Sequence, residues 1–290
     1  MTRASGGARF DGFWAIDWSG ARGRTRNIAV ARLDAGSRTP RLVAPRGGDS
    51  WTREAVVERL AREAGSGRRI LAGFDFAFSF PLQALDALGL PRDASMAETW
   101  EAVERACAGS PGLHGGGFVD AAPPRTFWRS GPTPPWWRAP MRLADERCAT
   151  ATGARPESVM KLVGAKQVGL GALAGMRSLR ALRIASRGAF AVWPAMPPGD
   201  ASVAVEIFPT IHRLQATGSV AKIRDADGLA RALAAFGCRA PRLARVPGDD
   251  ETDALVSVAA LGQAASRADA FALPADGRAA REGWIFGVPP

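Results

Sequence analysis

The sequence predicts an α/β protein in which a mixed sheet carries helices on both faces. Three observations predict it. Two continuously apolar runs, near residues 10–19 and 70–78, fit strands covered on both sides. Turn-rich punctuation after the first run makes it the start of an antiparallel meander. Beyond the meander, helical and strand-like stretches alternate. At 290 residues, with 47% hydrophobic and 23% charged residues, the chain can bury a substantial core. The reading favoured is a single domain over residues 8–290, with residues 82–160 inserted as a largely helical and irregular cap.

The first strand is FDGFWAIDWS, Phe10 to Ser19. Asn27 to Leu33 and Arg41 to Ala44 supply two shorter antiparallel partners, separated by the turn-like segments SGARGRTR and DAGSRTP. From Trp51 to Ala64, apolar residues at Trp51, Ala55, Val56, Leu60 and Ala61 recur at helical spacing, with Ser50 placed to cap the helix. Ile70 to Phe78 (ILAGFDFAF) reads as a parallel strand ended by Ser79-Phe80-Pro81. The inserted region holds short helices around Ala84 and Ala97, then a Gly- and Pro-rich passage containing HGGG and TFWRSGPTPPWWRAP. Lys161 to Arg183 is a glycine-rich loop running into a helix, and Val203 to Phe208 (VAVEIF) is a third apolar strand closed by Pro209. The last third is helical, with one long helix from about Asp250 to Ala265, and the chain ends in a short aromatic strand, GWIFGV.

Composition narrows the chemistry. Cys107, Cys148 and Cys238 are far apart and form no CxxC or Cys/His cluster, so buried free thiols are expected. His114 and His212 are the only histidines, which excludes a site built on several of them. Any metal must be held by oxygen. No apolar run reaches the length of a membrane span, and Asp11 and Asp17 interrupt the N-terminal apolar stretch, so a cytoplasmic protein without a membrane partner is expected. A net charge of +10 favours a polyanionic partner such as DNA or RNA. The same charge also fits an arginine-rich compositional bias, since only Lys161, Lys166 and Lys222 are lysines.

Each of the three strongest strands carries a carboxylate inside its apolar run: Asp17 in AIDWS, Asp75 in GFDFAF and Glu206 in AVEIF. An ionised carboxylate buried without a partner costs several kcal/mol, so each must be neutralised, paired or metal-bound. The long C-terminal helix opens with GDDETDAL, in which Asp250 and Asp253 sit three apart and share a face, while Asp249 and Glu251 suit the positive end of the helix dipole. If the strands are neighbours, these acids converge, and together they cannot all ionise without a cation between them. Oxygen ligands of this kind select Mg²⁺ or Mn²⁺. Two such ions roughly 3.5–4 Å apart would activate a water and stabilise the leaving oxygen of a phosphodiester.

Asp17 on the first strand, an acid at the end of a later central strand, and the DxxDAL helix at Asp250 to Leu255 resemble the RNase H-like superfamily, in particular its RuvC-like resolvase branch. The blocks AIDWSGA, GFDFAFSFP, KLVGAKQVGLGALAGM, VAVEIFP, DDETDALVSVAAL and EGWIFGV are similar to those of an uncharacterised bacterial family of predicted nucleases with an RNase H-like fold, a domain-of-unknown-function family. The resemblance spans nearly the whole chain. It implies an RNase H-like sheet, a magnesium- or manganese-dependent nuclease, and metal ligation by Asp17, Glu206, Asp250 and Asp253, with Asp75 as an addition to the catalytic set. In the resolvase pattern the second acid lies on the strand after the first helix, where this chain has Asp75. Glu206 competes for that role, and both are retained. Resolvase-like enzymes act as dimers, which leaves a homodimer open.

Two further segments are candidates for binding substrate. In KLVGAKQVGLG, Lys161 or Lys166 and Gln167 could meet a phosphate, with glycines letting backbone N–H groups approach it, or the segment is a tight turn packing a helix on the sheet. No Walker motif is present. Between Arg125 and Arg138, Phe127, Trp128, Trp136 and Trp137 interleave with Arg125, Arg129 and Arg138, the ingredients of a single-strand stacking surface or of a packed cap. HGGG at His114 to Gly117 has no GxSxG elbow, which argues against a serine hydrolase. The rival functions are a phosphotransferase or ATPase of the actin and sugar-kinase type, with DWSG at the first strand turn, and a non-catalytic nucleic-acid-binding protein with a degenerate site.

Overall fold

β1 (Gly12–Asp17), β2 (Ala29–Asp34) and β3 (Arg41–Leu42) form the antiparallel meander in a computed structural model that describes residues 10–22, 27–48, 50–164 and 168–290. α1 (Arg53–Gly65) follows, and β4 (Ile70–Phe74) returns parallel to β1. β6 (Ser202–Glu206) lies parallel to β4, and β5 (Phe190–Val192) parallel to β6. The six-stranded order is β3-β2-β1-β4-β6-β5, in which β2 alone runs against the rest.

Strand alternation sends successive side chains to opposite faces. Trp14, Ile16, Ala72 and Phe74 enter one apolar layer, which α1, α2 (Met96–Ala106) and α5 (Gly169–Ala185) cover. Ala15, Ala31, Leu71, Val203 and Val205 enter the other, covered by α6 (Pro209–Thr217), α7 (Ala226–Ala235) and α8 (Asp249–Ala264). Small residues at Ala15 and Ala31 let α8 lie close against β1 and β2. Its residues Thr252 to Leu261 are all buried.

Residues 82–160 fall between β4 and β6 and include α2, α3 (Gly116–Ala121) and α4 (Leu143–Thr152). Trp100, Val103, Phe118 and Phe127 belong to the same layer as Trp14 and Phe74, whereas Ala144, Cys148 and Ala154 belong to the other. The segment therefore contributes to the core on both faces. The three cysteines are buried and unpaired, as expected, and no helix among the described residues is long and apolar enough to cross a membrane.

Several expected boundaries move. The second apolar strand stops at Phe74: Asp75 N makes the last ladder bond, to Ile16 O at 3.0 Å, and Phe76 N then turns back to Phe74 O at 3.0 Å. Thr52, not Ser50, caps α1, its Oγ1 accepting from Ala55 N at 3.1 Å. The C-terminal GWIFGV makes a single bridge, Ile285 to Glu206, after the short α9 (Ala279–Glu282), and no further ladder. β5 was not anticipated, since three residues carry too little periodicity to read.

Candidate active site

Parallel pairing of β1, β4 and β6 brings their C-terminal ends together at one edge. Ile16 aligns with Phe74 and Phe74 with Glu206, so Asp17 and Asp75 emerge side by side and Glu206 one strand further along. Alternation then separates them. Asp17 shares the phase of Ala15 and turns toward α8, whereas Glu206 shares the phase of Ala204 and turns toward the opposite layer.

On the α8 side, Asp17, Asp75 and Asp250 line one cavity of about 480 Å³. Trp18, Phe76 and the first turn of α5 at Leu170 and Gly171 form other parts of its wall. The loop after β1 is held against α5 by close approach at Gly20, where a Cβ would stand 2.2 Å from Gly171 N. Buried Arg53 ties the same loop down through Ser19 O at 3.0 Å and Ala21 O.

The three cavity aspartates have no hydrogen bond or ion pair to any described side chain. Asp17 is only 8% exposed. Burial pushes its carboxyl well above the ordinary aspartate range, and the charges of Asp75, Asp250 and Asp253 push the same way, against Lys222. Burial also lifts Asp75 to about 7, with Asp253 adding to the rise and Lys222 and Arg213 opposing it. Asp250 is raised by burial first, then by Asp253, again against Lys222. Like charges around one cavity are each disfavoured in the ionised form, the situation that a cation relieves.

Glu206 and Asp253 are handled differently. Arg142, at the start of α4, reaches Glu206 Oε1 at 2.6 Å and Oε2 at 2.7 Å, and holds Asp145 Oδ1 at 2.7 Å with the same guanidinium. Phe78 N donates to Glu206 Oε2 at 3.1 Å. Burial works against the Arg142 cation, but Asp145 and Glu206 together hold it firmly protonated. Asp253 lies beneath the cavity with Oδ1 on Arg213 and Oδ2 on Lys222 Nζ, each at 2.5 Å. The DxxD face is therefore split: Asp250 faces the cavity and Asp253 faces two cations. Glu206 also borders the cavity, but both of its oxygens are engaged.

The flanking acids of α8 act as expected of a helix N-terminus. Glu251 accepts from Gly248 N at 2.8 Å and pairs with Arg245, and Asp249 faces Arg224 at 3.4 Å. His114 accepts from Gly116 N at 3.1 Å and shapes the start of α3. His212 is buried against Ser257 Oγ at 2.9 Å, its basicity driven down to about 3 by burial and by Arg213. Lys166 and Gln167 lie outside the described residues. Arg125, Trp128, Arg129 and Trp136 line a separate open groove of about 620 Å³.

Sequence reasoning missed the cations of the site. Nothing local marks Arg142 or Arg213 among so many arginines. Lys222 had a signal, as one of three lysines in the chain.

Among the described residues, no group of three His, Cys, Asp or Glu side chains is arranged to hold a metal ion. The donor chemistry nonetheless suits a hard divalent cation. Three carboxylates without a hydrogen-bond or ion-pair partner among the described side chains face one cavity, and its described lining includes no histidine or cysteine. No protein-family model, curated protein or solved structure matches the chain.

Proposed function

We propose that this chain is a divalent-metal-dependent nuclease of RNase H-like fold that hydrolyses phosphodiester bonds at the Asp17, Asp75 and Asp250 cavity. The observation that carries the proposal is the set of three buried or half-buried carboxylates, drawn from β1, the end of β4 and the N-terminus of α8, with no hydrogen bond or ion pair to a side chain among the described residues. The sheet order supports the fold assignment, because a three-stranded meander flanking parallel strands is the arrangement that the sequence resemblance implies.

Asp17, Asp75 and Asp250 would hold Mg²⁺ or Mn²⁺, which supplies a Lewis acid for water activation and leaving-group stabilisation. The remaining roles belong to the chain itself. Lys222 and Arg213 fix Asp253 and limit the negative charge beneath the cavity. Arg142 holds Glu206 away from the three free carboxylates by engaging both of its oxygens. Trp18, Phe76 and Leu170 form an apolar wall that restricts water at the reacting centre.

The test is cleavage of labelled single-stranded, duplex, hybrid and branched nucleic acids in Mg²⁺ or Mn²⁺. Wild type is compared with a folded Asp17→Asn/Asp250→Asn double variant. Metal-dependent cleavage by wild type alone is the expected result. Failure to cleave any substrate, together with no stabilisation by either metal, would sink the proposal.

A further inference from the structure

The groove between residues 120 and 136 lies outside the carboxylate cavity and has no part in the chemistry above. Its lining includes Arg125, Trp128, Arg129 and Trp136. Phe127 is the packing member of the segment, buried against Phe80 and Phe118. Trp128, Trp136 and Trp137 are only half-buried, and their rings meet at tilted or edge-on angles, with centroids 5.6 and 6.0 Å apart. Such an arrangement leaves ring surface facing the groove.

Arg125, Arg129 and Arg138 are exposed, and none pairs with a carboxylate among the described residues. Arg129 donates to the carbonyls of Val119 and Ala122, and Arg138 to those of Pro135 and Trp137. These bonds fix the guanidinium groups without neutralising them. Asp120 is the one acid of the groove lining. Fixed, uncompensated cations beside aromatic rings suit a strand that is anionic along its backbone and flat in its bases.

The groove also connects to the cavity. Trp128 is pinned to the chain at Met160 and Leu162 by backbone bonds of 3.1 and 2.9 Å. Lys161 stands over its ring, 5.3 Å from the centroid, and pairs with Glu157 at 3.0 Å. Glu157 in turn borders the carboxylate cavity. These contacts link the ledge to the rim of the cavity through Trp128, Lys161 and Glu157.

We infer that this ledge binds single-stranded nucleic acid, meeting its backbone with Arg125 and stacking its bases on Trp128 and Trp136, a substrate assignment that rests on the nuclease reading above.

The experiment measures fluorescence anisotropy of a labelled oligothymidylate, an oligouridylate and a hairpin duplex in EDTA, so that binding is read without cleavage. Wild type is expected to bind oligothymidylate and oligouridylate about tenfold more tightly than the hairpin duplex. Trp136→Ala should weaken the single-strand binding about tenfold. Arg125→Glu, at an exposed position, should weaken it several-fold. Equal binding by wild type and both ledge variants, tighter binding of the duplex, or no binding at all would overturn the inference. Metal-dependent hydrolysis of bis(p-nitrophenyl) phosphate, too small to need the ledge, reports on the nuclease reading separately. Its absence alongside intact ledge binding would remove the chemistry and leave the ledge standing.

Discussion

Asp17 and Glu206 end strands of the same sheet on either side of β4, at the same edge and with nearly the same burial, yet their surroundings are opposite. Glu206 meets a fully buried arginine that binds both its oxygens. Asp17 meets Asp75 and Asp250, which share its charge. A folded chain that neutralises one buried carboxylate so thoroughly has the means to neutralise its neighbour. The set without described partners is the one proposed above as a site, while the Glu206, Arg142 and Asp145 group joins α4 to the sheet. Asp253 belongs with the second group, despite lying one helical turn from Asp250.

The largest expected effect breaks the architectural side. Arg142→Met leaves Glu206 and Asp145 buried without a cation and should cost about 3–5 kcal/mol in urea unfolding. A loss below about 1 kcal/mol would show that the ion pair does not organise the cavity edge. Next comes the opposite behaviour of the aspartates. The folded-state value for Asp75, about 7, lies above the ordinary 3.8, so the folded chain retains a proton that the unfolded chain releases. The stability this brings is complete below about pH 4 and is lost as pH rises toward 7. In EDTA, stability should fall on the order of 2–4 kcal/mol across that window, and Asp75→Asn should flatten the profile. A flat wild-type profile would contradict the described clustering.

A cation should offset the same repulsion. At a hundredfold excess over its dissociation constant, Mn²⁺ should stabilise wild type by about 2.7 kcal/mol and raise the thermal midpoint by about 5 °C. No shift is expected for Asp17→Asn/Asp250→Asn, and equal shifts in both proteins would place the metal elsewhere. The smallest effect concerns Lys222, whose side chain is partly exposed. Lys222→Met leaves Asp253 with Arg213 and should destabilise by about 1 kcal/mol at pH 7, while making metal binding more favourable by removing a competing positive charge. Weaker metal binding would mean that Lys222 orders the site rather than balancing it.

Much of this was legible in the chain. The meander, the two-sided strands and the long helix opening at Asp249 follow from hydrophobic periodicity, which is local. The acids stood out because they interrupt apolar runs. The end of β4 at Phe74 was not legible, since ILAGFDFAF stays apolar through the turn and only the bond from Phe76 N back to Phe74 O reveals it. Nor was the division of labour among the acids.

By itself the sequence determined which residues must be buried, that any metal must be held by oxygen, and which carboxylates needed an explanation. Tertiary structure alone decided which explanation each received. The register of β1 on β4 and of β4 on β6 sets which faces the acids turn to. The cations come from far along the chain: Arg142 lies 64 residues from Glu206, and Arg213 and Lys222 lie 40 and 31 residues from Asp253. Charge pairing acts through space at a few ångströms, so spacing along the chain carries no record of it until the crossovers between strands have been made.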